Sequence, residues 1–236
     1  MLKNVFVLLT LLSLSIYFAG SSNDDENPVD PKVDSQPQNI VVKPVETPAS
    51  MQQNQEVDVR TLSLLSMVNS VSLYGGLYTT PGNAELSGNN EWSGSWSDGS
   101  ATCYWESWED GDVYYVELSV SGVYDGESVS DFLLVDLEAY DEGESGTLTI
   151  YDPAEENSFS YDWYTDDDNV YYLSYYFTDG SELYARSNPD LSGEIEYYEN
   201  GASGTVLTYR AEWNSDGSGN WESWDLDGNY LGGGNW

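Results

Sequence analysis

Residues 114–121 read Tyr114-Tyr115-Val116-Glu117-Leu118-Ser119-Val120-Ser121. In an extended chain, Tyr114, Val116, Leu118 and Val120 fall on one side, and Tyr115, Glu117, Ser119 and Ser121 on the other. Period two with β-branched and aromatic residues is the pattern of a half-buried strand. It recurs further along the chain. Phe159, Tyr161 and Trp163 alternate with Ser160, Asp162 and Tyr164; Thr205, Leu207, Tyr209, Ala211 and Trp213 alternate with Val206, Thr208, Arg210 and Glu212. Between such runs stand the turn pairs Asp98-Gly99, Asp110-Gly111, Asp125-Gly126, Asp179-Gly180, Asn200-Gly201, Asp216-Gly217 and Asp227-Gly228. These residues tolerate the positive φ of tight hairpins, where both central positions can require it. No helical pattern of useful length intervenes, which argues against a parallel βαβ arrangement.

The expectation is an all-β domain over 77–236, an antiparallel meander of about ten strands. So long a meander must hide its apolar face and its edges. Two arrangements do this: a closed up-and-down barrel, or a strongly curved, barrel-like sheet wrapped over one N-terminal helix. Gly94-Ser95-Trp96 matches the Gly-x-Trp that opens lipocalin-like barrels, and the meander resembles that group in outline. The resemblance implies an enclosed site for a small apolar ligand and assigns no residue to it.

The chain opens Met1-Leu2-Lys3-Asn4, runs apolar from Val5 to Ala19, and leaves through Gly20-Ser21-Ser22. One early cation, a short apolar core and a small-residue exit read as a signal peptide over 1–21. The run is shorter than the roughly 20 residues of a comfortable membrane span. Phe18-Ala19-Gly20-Ser21, followed by Ser22-Asn23-Asp24-Asp25-Glu26, resembles the lipobox and acidic tether of bacterial extracytoplasmic lipoproteins. That family carries its lipid on a Cys where Ser21 stands, so this chain has no thiol there to acylate. Cleavage after Ser21 and retention of an uncleaved anchor are the two outcomes. The expected location is extracytoplasmic, secreted or periplasmic, with no transmembrane segment once the leader is removed.

From Ala19 to Leu73 there is no aromatic residue, and five of the eight prolines fall here. Such text buries too little apolar surface to offset its ordering entropy, so 22–55 reads as a disordered linker. Leu62, Leu65, Val68 and Val71 then recur at helical spacing, with Asp58 as a start signal and Gly75-Gly76 as a stop. An amphipathic helix over 56–76, packed on the sheet, is expected.

Charge narrows the partners. The chain has 42 acidic residues, 6 basic residues and no His, for a formal charge of −36. From Tyr74 onward the only cations are Arg186 and Arg210. That field repels nucleic acid and anionic membranes, keeps the chain soluble and attracts basic partners. Cys103 is the single cysteine, so no intramolecular disulfide exists; its strand-like setting reads as a buried, inert thiol.

One repeat stands out. Tyr104-Trp105-Glu106-Ser107-Trp108-Glu109 returns as Asn220-Trp221-Glu222-Ser223-Trp224-Asp225, each after a Glu-Trp pair, Glu91-Trp92 and Glu212-Trp213. Two similar hairpins follow, near neighbours if the first and last strands pair. Trp105 and Trp108, three apart, would face opposite sides of a strand unless a bulge intervenes. Aromatic rings beside carboxylates can contact a ligand, which makes Trp105, Trp108, Trp221 and Trp224 the candidate ligand-binding residues. The competing reading is sheet packing, where aromatic pairs contribute about 0.2–1 kcal/mol each.

Without His, Ser-His nucleophiles, a His base and His-ligated metals are excluded. No Gly-x-Ser-x-Gly elbow, phosphate loop or Cys-pair metal motif appears. No cofactor and no metal site is expected. Calcium is the one plausible ion, at the acid-dense turns Asp166-Asp167-Asp168-Asn169 and Asp225-Leu226-Asp227-Gly228-Asn229, although neither follows the EF-hand spacing. The expected function is a non-catalytic binding or surface-interaction module. Its partner is a small molecule, a glycan or another surface protein. A lipocalin-like carrier and a carbohydrate-binding module are the alternatives.

Overall fold

A computed structural model describes residues 40, 42–70, 80–86, 91–97, 99–124, 126–153, 155–202 and 204–236, with backbone alone at 142 and 155–158. The expected signal peptide, linker residues 22–39, and the Gly75-Gly76 stop lie outside the described residues. Thirteen strands form: β1 (Glu85–Leu86), β2 (Trp92–Ser97), β3 (Ala101–Asp110), β4 (Val113–Tyr124), β5 (Glu127–Tyr140), β6 (Ser145–Asp152), β7 (Glu155–Thr165), β8 (Tyr171–Phe177), β9 (Glu182–Ser187), β10 (Gly193–Gly201), β11 (Gly204–Trp213), β12 (Gly219–Trp224) and β13 (Tyr230–Asn235). Their order is the chain order, an antiparallel meander. Among the described residues two helices precede them, α1 (Ala49–Gln53) and α2 (Val59–Asn69). Among the described residues no helix is long and apolar enough to cross a membrane.

The all-β antiparallel class is as expected; the strand count and the closure are corrected. There are thirteen strands rather than about ten, and the sheet is not closed. The hairpins 91–109 and 212–226 therefore do not neighbour each other: they supply β2–β3 and β11–β12, with seven strands between them in the order. The closed lipocalin-like barrel is not formed.

The hairpin chemistry is also simpler than the tightest turn requires. In the turns 177–181, 188–192, 214–218 and 225–229, the first N–H reaches the fifth carbonyl and the fourth N–H returns to the first. One residue per turn takes positive φ: Gly180 (79°), Leu191 (69°), Gly217 (87°) and Gly228 (79°). This is the longer hairpin loop with one left-handed residue, not a two-residue turn with two.

The chain divides into two compact units, Met1–Val41 with Leu73–Gly143, and Val42–Ser72 with Glu144–Trp236. In the first, β3, β4 and β5 pair in long register, with Trp105 opposite Leu118 and Leu118 opposite Val135. Trp105, Val116, Leu118, Val120, Val135 and Leu137 are fully buried and form one face. Cys103 is also buried, as read from the sequence.

In the second unit, Leu148, Ile150, Tyr161, Leu173, Leu183, Ile195, Tyr209 and Ala211 make the buried face. Helix α2 packs against β9 and β10, burying Leu64, Leu65 and Val68. Asp58 caps it, accepting the N–H groups of Arg60 at 2.9 Å and Thr61 at 3.3 Å. Of the helix expected at 56–76, residues 59–69 are helical, and residues 71–76 lie outside the described residues. The linker expected to reach residue 55 is corrected over 42–55. Val42, Val45 and Met51 are buried there, α1 forms, and Asn69 holds both the Val45 N–H (2.7 Å) and its carbonyl (3.1 Å). Three spaced aliphatics, the Asn69 clamp and the bonds Lys43–Glu144, Ser187–Glu46 and Ser50–Asp216 hold text that composition alone reads as disordered.

Strand β13, Tyr230-Leu231-Gly232-Gly233-Gly234-Asn235, has little strand propensity. Its partner explains it. Trp221 lies over Gly234, its Nε1 2.9 Å from where a Cβ would stand. Likewise Trp236 covers Gly219 and Trp213 covers Gly193, where any Cβ would collide with the ring and with the backbone. Each indole then donates to a turn carbonyl, Trp213 to Leu191 and Trp236 to Gly217, both at 2.9 Å. Glycine is needed for the close approach of an indole, which a propensity reading counts against the strand.

Candidate functional site

The four candidate tryptophans separate. Trp105 and Trp108 belong to the first unit, Trp221 and Trp224 to the second. Trp105 has 0 % exposure. Its ring is packing, and a ligand on the solvent side cannot touch it. Trp108 is half-buried on the opposite face of β3, as the three-residue spacing implies, and stacks on Tyr115 at 5.2 Å between ring centres and 10° between planes. Trp221 stacks on buried Tyr209 at 6.1 Å. Trp224 follows an irregularity in β12 and meets Tyr230 edge-on at 6.2 Å.

Around Trp108 the outward face of β3–β5 has a defined pattern. Register places Glu106 opposite Glu117, and Glu117 opposite Asp136. Three carboxylates thus stand in one row across three strands. Like charges directly opposite on a sheet are destabilising. Among the described residues no Lys or Arg forms an ion pair with any of them. Next to that row come Trp108 and Tyr115, and beyond Tyr115 stands Glu138, which accepts the Tyr140 hydroxyl at 2.7 Å. On the other side Tyr104 is exposed.

Burial, then the neighbouring charges of Asp136 and Glu106, pushes the Glu117 carboxyl up; burial, then Glu138, does the same for Asp136. Elsewhere the turn acids shift the other way. Asp190 and Asp216 are held low by the hydroxyls and N–H groups of Ser192 and Ser218, and Asp225 by Asn229. The two sets titrate with opposite consequences. A raised carboxyl contributes stability as pH falls, complete below its ordinary value of 4.5 or 3.8. A lowered carboxyl contributes above its ordinary value of 3.8 and loses that contribution as pH falls further. The melting temperature is therefore expected to rise from pH 7 toward about 4.5 and to fall again below about 3.5. Calorimetry across that range checks it; a steady fall from pH 7 downward contradicts it.

The acid-dense turns have internal employment. Asp166 accepts the N–H groups of Asp168 and Val170 and the Tyr172 hydroxyl. Asp225 accepts from the N–H groups of Asp227 and Asn229 and from the Asn229 amide. Among the described residues no group of three His, Cys, Asp or Glu is arranged to hold a metal.

The second unit carries its own outward aromatic rows. Tyr164 stacks on Tyr172 at 4.5 Å, and Tyr184 meets Tyr176 and Tyr198 edge-on. Here the carboxylates are engaged. Glu182 and Glu196 accept the hydroxyls of Tyr184 and Tyr198, and Glu194 and Glu196 pair with Arg210, which also bridges Glu212. The Glu106–Glu117–Asp136 row differs in that, among the described residues, no cation pairs with it. Sequence reading placed Tyr115 and Glu117 on the outward side but not the row, because cross-strand register depends on turn lengths.

No protein-family model matches the chain, and no curated protein matches it. The lipoprotein and lipocalin-like resemblances accordingly rest on their quoted residues alone.

Proposed function

We propose that the chain is a non-catalytic extracytoplasmic interaction module, and that the outward face of β3–β5 binds a basic segment of a partner protein. One observation carries this reading: Glu106, Glu117 and Asp136 stand in register with no cation among them, beside the stacked Trp108–Tyr115 pair. A Lys or Arg side chain laid across that row removes the like-charge repulsion and gains the face of an aromatic ring. The overall charge of −36 steers such a partner toward the surface. The leader text supports the extracytoplasmic location. Missing His and a row of carboxylates, rather than two facing across a cleft, support the non-catalytic part.

Calorimetric titration of the chain with a Lys/Arg-rich peptide tests the reading. Binding is expected to weaken at least about tenfold between about 0.05 M and 0.5 M salt. It should be lost in the variant Glu106→Gln, Glu117→Gln, Asp136→Asn. That variant relieves repulsion and should melt no lower than the parent. Unchanged affinity in the variant would sink the proposal.

A further inference from the structure

We infer that a cleft in the second unit binds a neutral, hydroxyl-rich ligand, one or two sugar residues in size. The cleft encloses about 540 Å³, between the Lys43–Glu46 segment, the β7–β8 turn and the β9–β10 turn. That volume lies within the range of small-molecule sites, about 300–1,000 Å³.

Its charges select the ligand. Lys43 Nζ lies 2.7 Å from Glu144 Oε2, so the one cation is already neutralised. Glu46 and Asp166 add further carboxylates to the wall, which disfavour an anionic ligand. A cationic ligand would face Lys43 and compete with it for Glu144.

Its hydrogen-bonding groups narrow the choice further. Three of the side-chain donors are spent within the protein: Ser187 Oγ donates to the Glu46 carbonyl, Asn188 Nδ2 to Ser192 Oγ, and Thr165 Oγ1 to Glu144 Oε2. The Glu46 carboxylate remains an open acceptor, with no ion pair or hydrogen bond to its side chain among the described residues. A site rich in acceptors, with its one lysine held by Glu144 and two further carboxylates on the wall, matches a neutral donor of many hydroxyls. Pro44, Pro189 and the Tyr171 ring supply apolar wall for the C–H faces of such a ring.

Leu191 gives a second, independent pointer. It takes φ of 69°, where the matching turn positions carry Gly180, Gly217 and Gly228, and the shorter-sided Asn169 at 60°. A left-handed backbone strains leucine and suits glycine. Its carbonyl is fixed by the Trp213 indole, and its side chain lines the cleft. A strained residue kept at a cleft wall is the arrangement found at ligand clamps.

This inference is independent of the basic-partner reading, and its variants leave Glu106, Glu117 and Asp136 untouched. The test is an amide NMR titration of the full chain with glucose, galactose, mannose and N-acetylglucosamine, against glucuronate and glucosamine as charged analogues. At least one neutral sugar should move the Lys43, Glu46 and Leu191 signals saturably, and more tightly than either charged analogue. Glu46→Gln should weaken that binding about tenfold. Leu191→Gly suits the backbone, so it should keep the fold while weakening binding about fivefold. No response to any neutral sugar, tighter binding of a charged analogue, or unchanged affinity in both variants would overturn the inference.

Discussion

Trp105→Ala is expected to destabilise the protein by about 3–5 kcal/mol, the cost of removing a large ring from a site that cannot collapse around the loss. The ring is wholly buried, opposite Leu118 on β4, which is itself opposite Val135 on β5. Trp105→Phe should cost far less. The indole Nε1 is buried with no hydrogen-bond partner, so exchanging it for carbon loses no bond. Ser107 Oγ is also buried, but it sits beside the buried Tyr114 hydroxyl, so Ser107→Ala is expected to cost about 1 kcal/mol. Urea unfolding of the three variants checks this together. A large loss in Trp105→Phe would show that the indole nitrogen has a role that packing does not explain.

Asp58→Ala is expected to cost about 2–4 kcal/mol, because one carboxylate does two things. It caps α2, worth about 0.5–2 kcal/mol, and it accepts a buried hydroxyl, worth about 1.5–3 kcal/mol for a charged acceptor. The hydroxyl is that of Tyr209, which donates to Asp58 at 2.6 Å. The phenol has one hydrogen, so Thr61 Oγ1, also at 2.6 Å, is the donor to it. Arg60 lies over the same ring at 4.8 Å from its centre. Tyr209→Phe should lose the hydroxyl bond and keep the cap, so its loss should be the smaller. The double variant should fall short of the sum, since the two residues share one bond. Burial and the Asp58 bond push the Tyr209 phenol well above its ordinary value of 10. Its contribution is complete below pH 10 and is lost as pH rises beyond that. The wild type should therefore lose stability on the alkaline side more steeply than Tyr209→Phe. Equal alkaline slopes would remove Tyr209 from the account.

Much of this architecture was legible in residue text, for identifiable reasons. Alternation such as Val116-Glu117-Leu118 reports a face directly, because a strand has period two. Asp58 was readable as a cap because the signal is local. The strand count was not, because β13 is held by indoles over glycines, and propensity penalises the glycines without seeing the indoles. Closure was not readable either: α2 and the 42–55 segment cover the buried face of the second unit, which lessens the need for a barrel. Among the candidate tryptophans, residue type could not separate Trp105 from Trp108; the three-residue spacing did, by sending them to opposite faces. The carboxylate row and the sugar-sized cleft depend on register and on distant segments meeting, which no local pattern encodes.

The most direct measurement of the central claim follows the indole N–H signals of the nine tryptophans while a Lys/Arg-rich peptide is added. The account predicts that Trp108 moves, with the Tyr115 and Glu117 amides beside it, while Trp105 beneath the sheet stays still. It predicts no such movement in the Glu106→Gln, Glu117→Gln, Asp136→Asn variant. Peptide binding that moves tryptophans of the second unit and leaves Trp108 in place would contradict it.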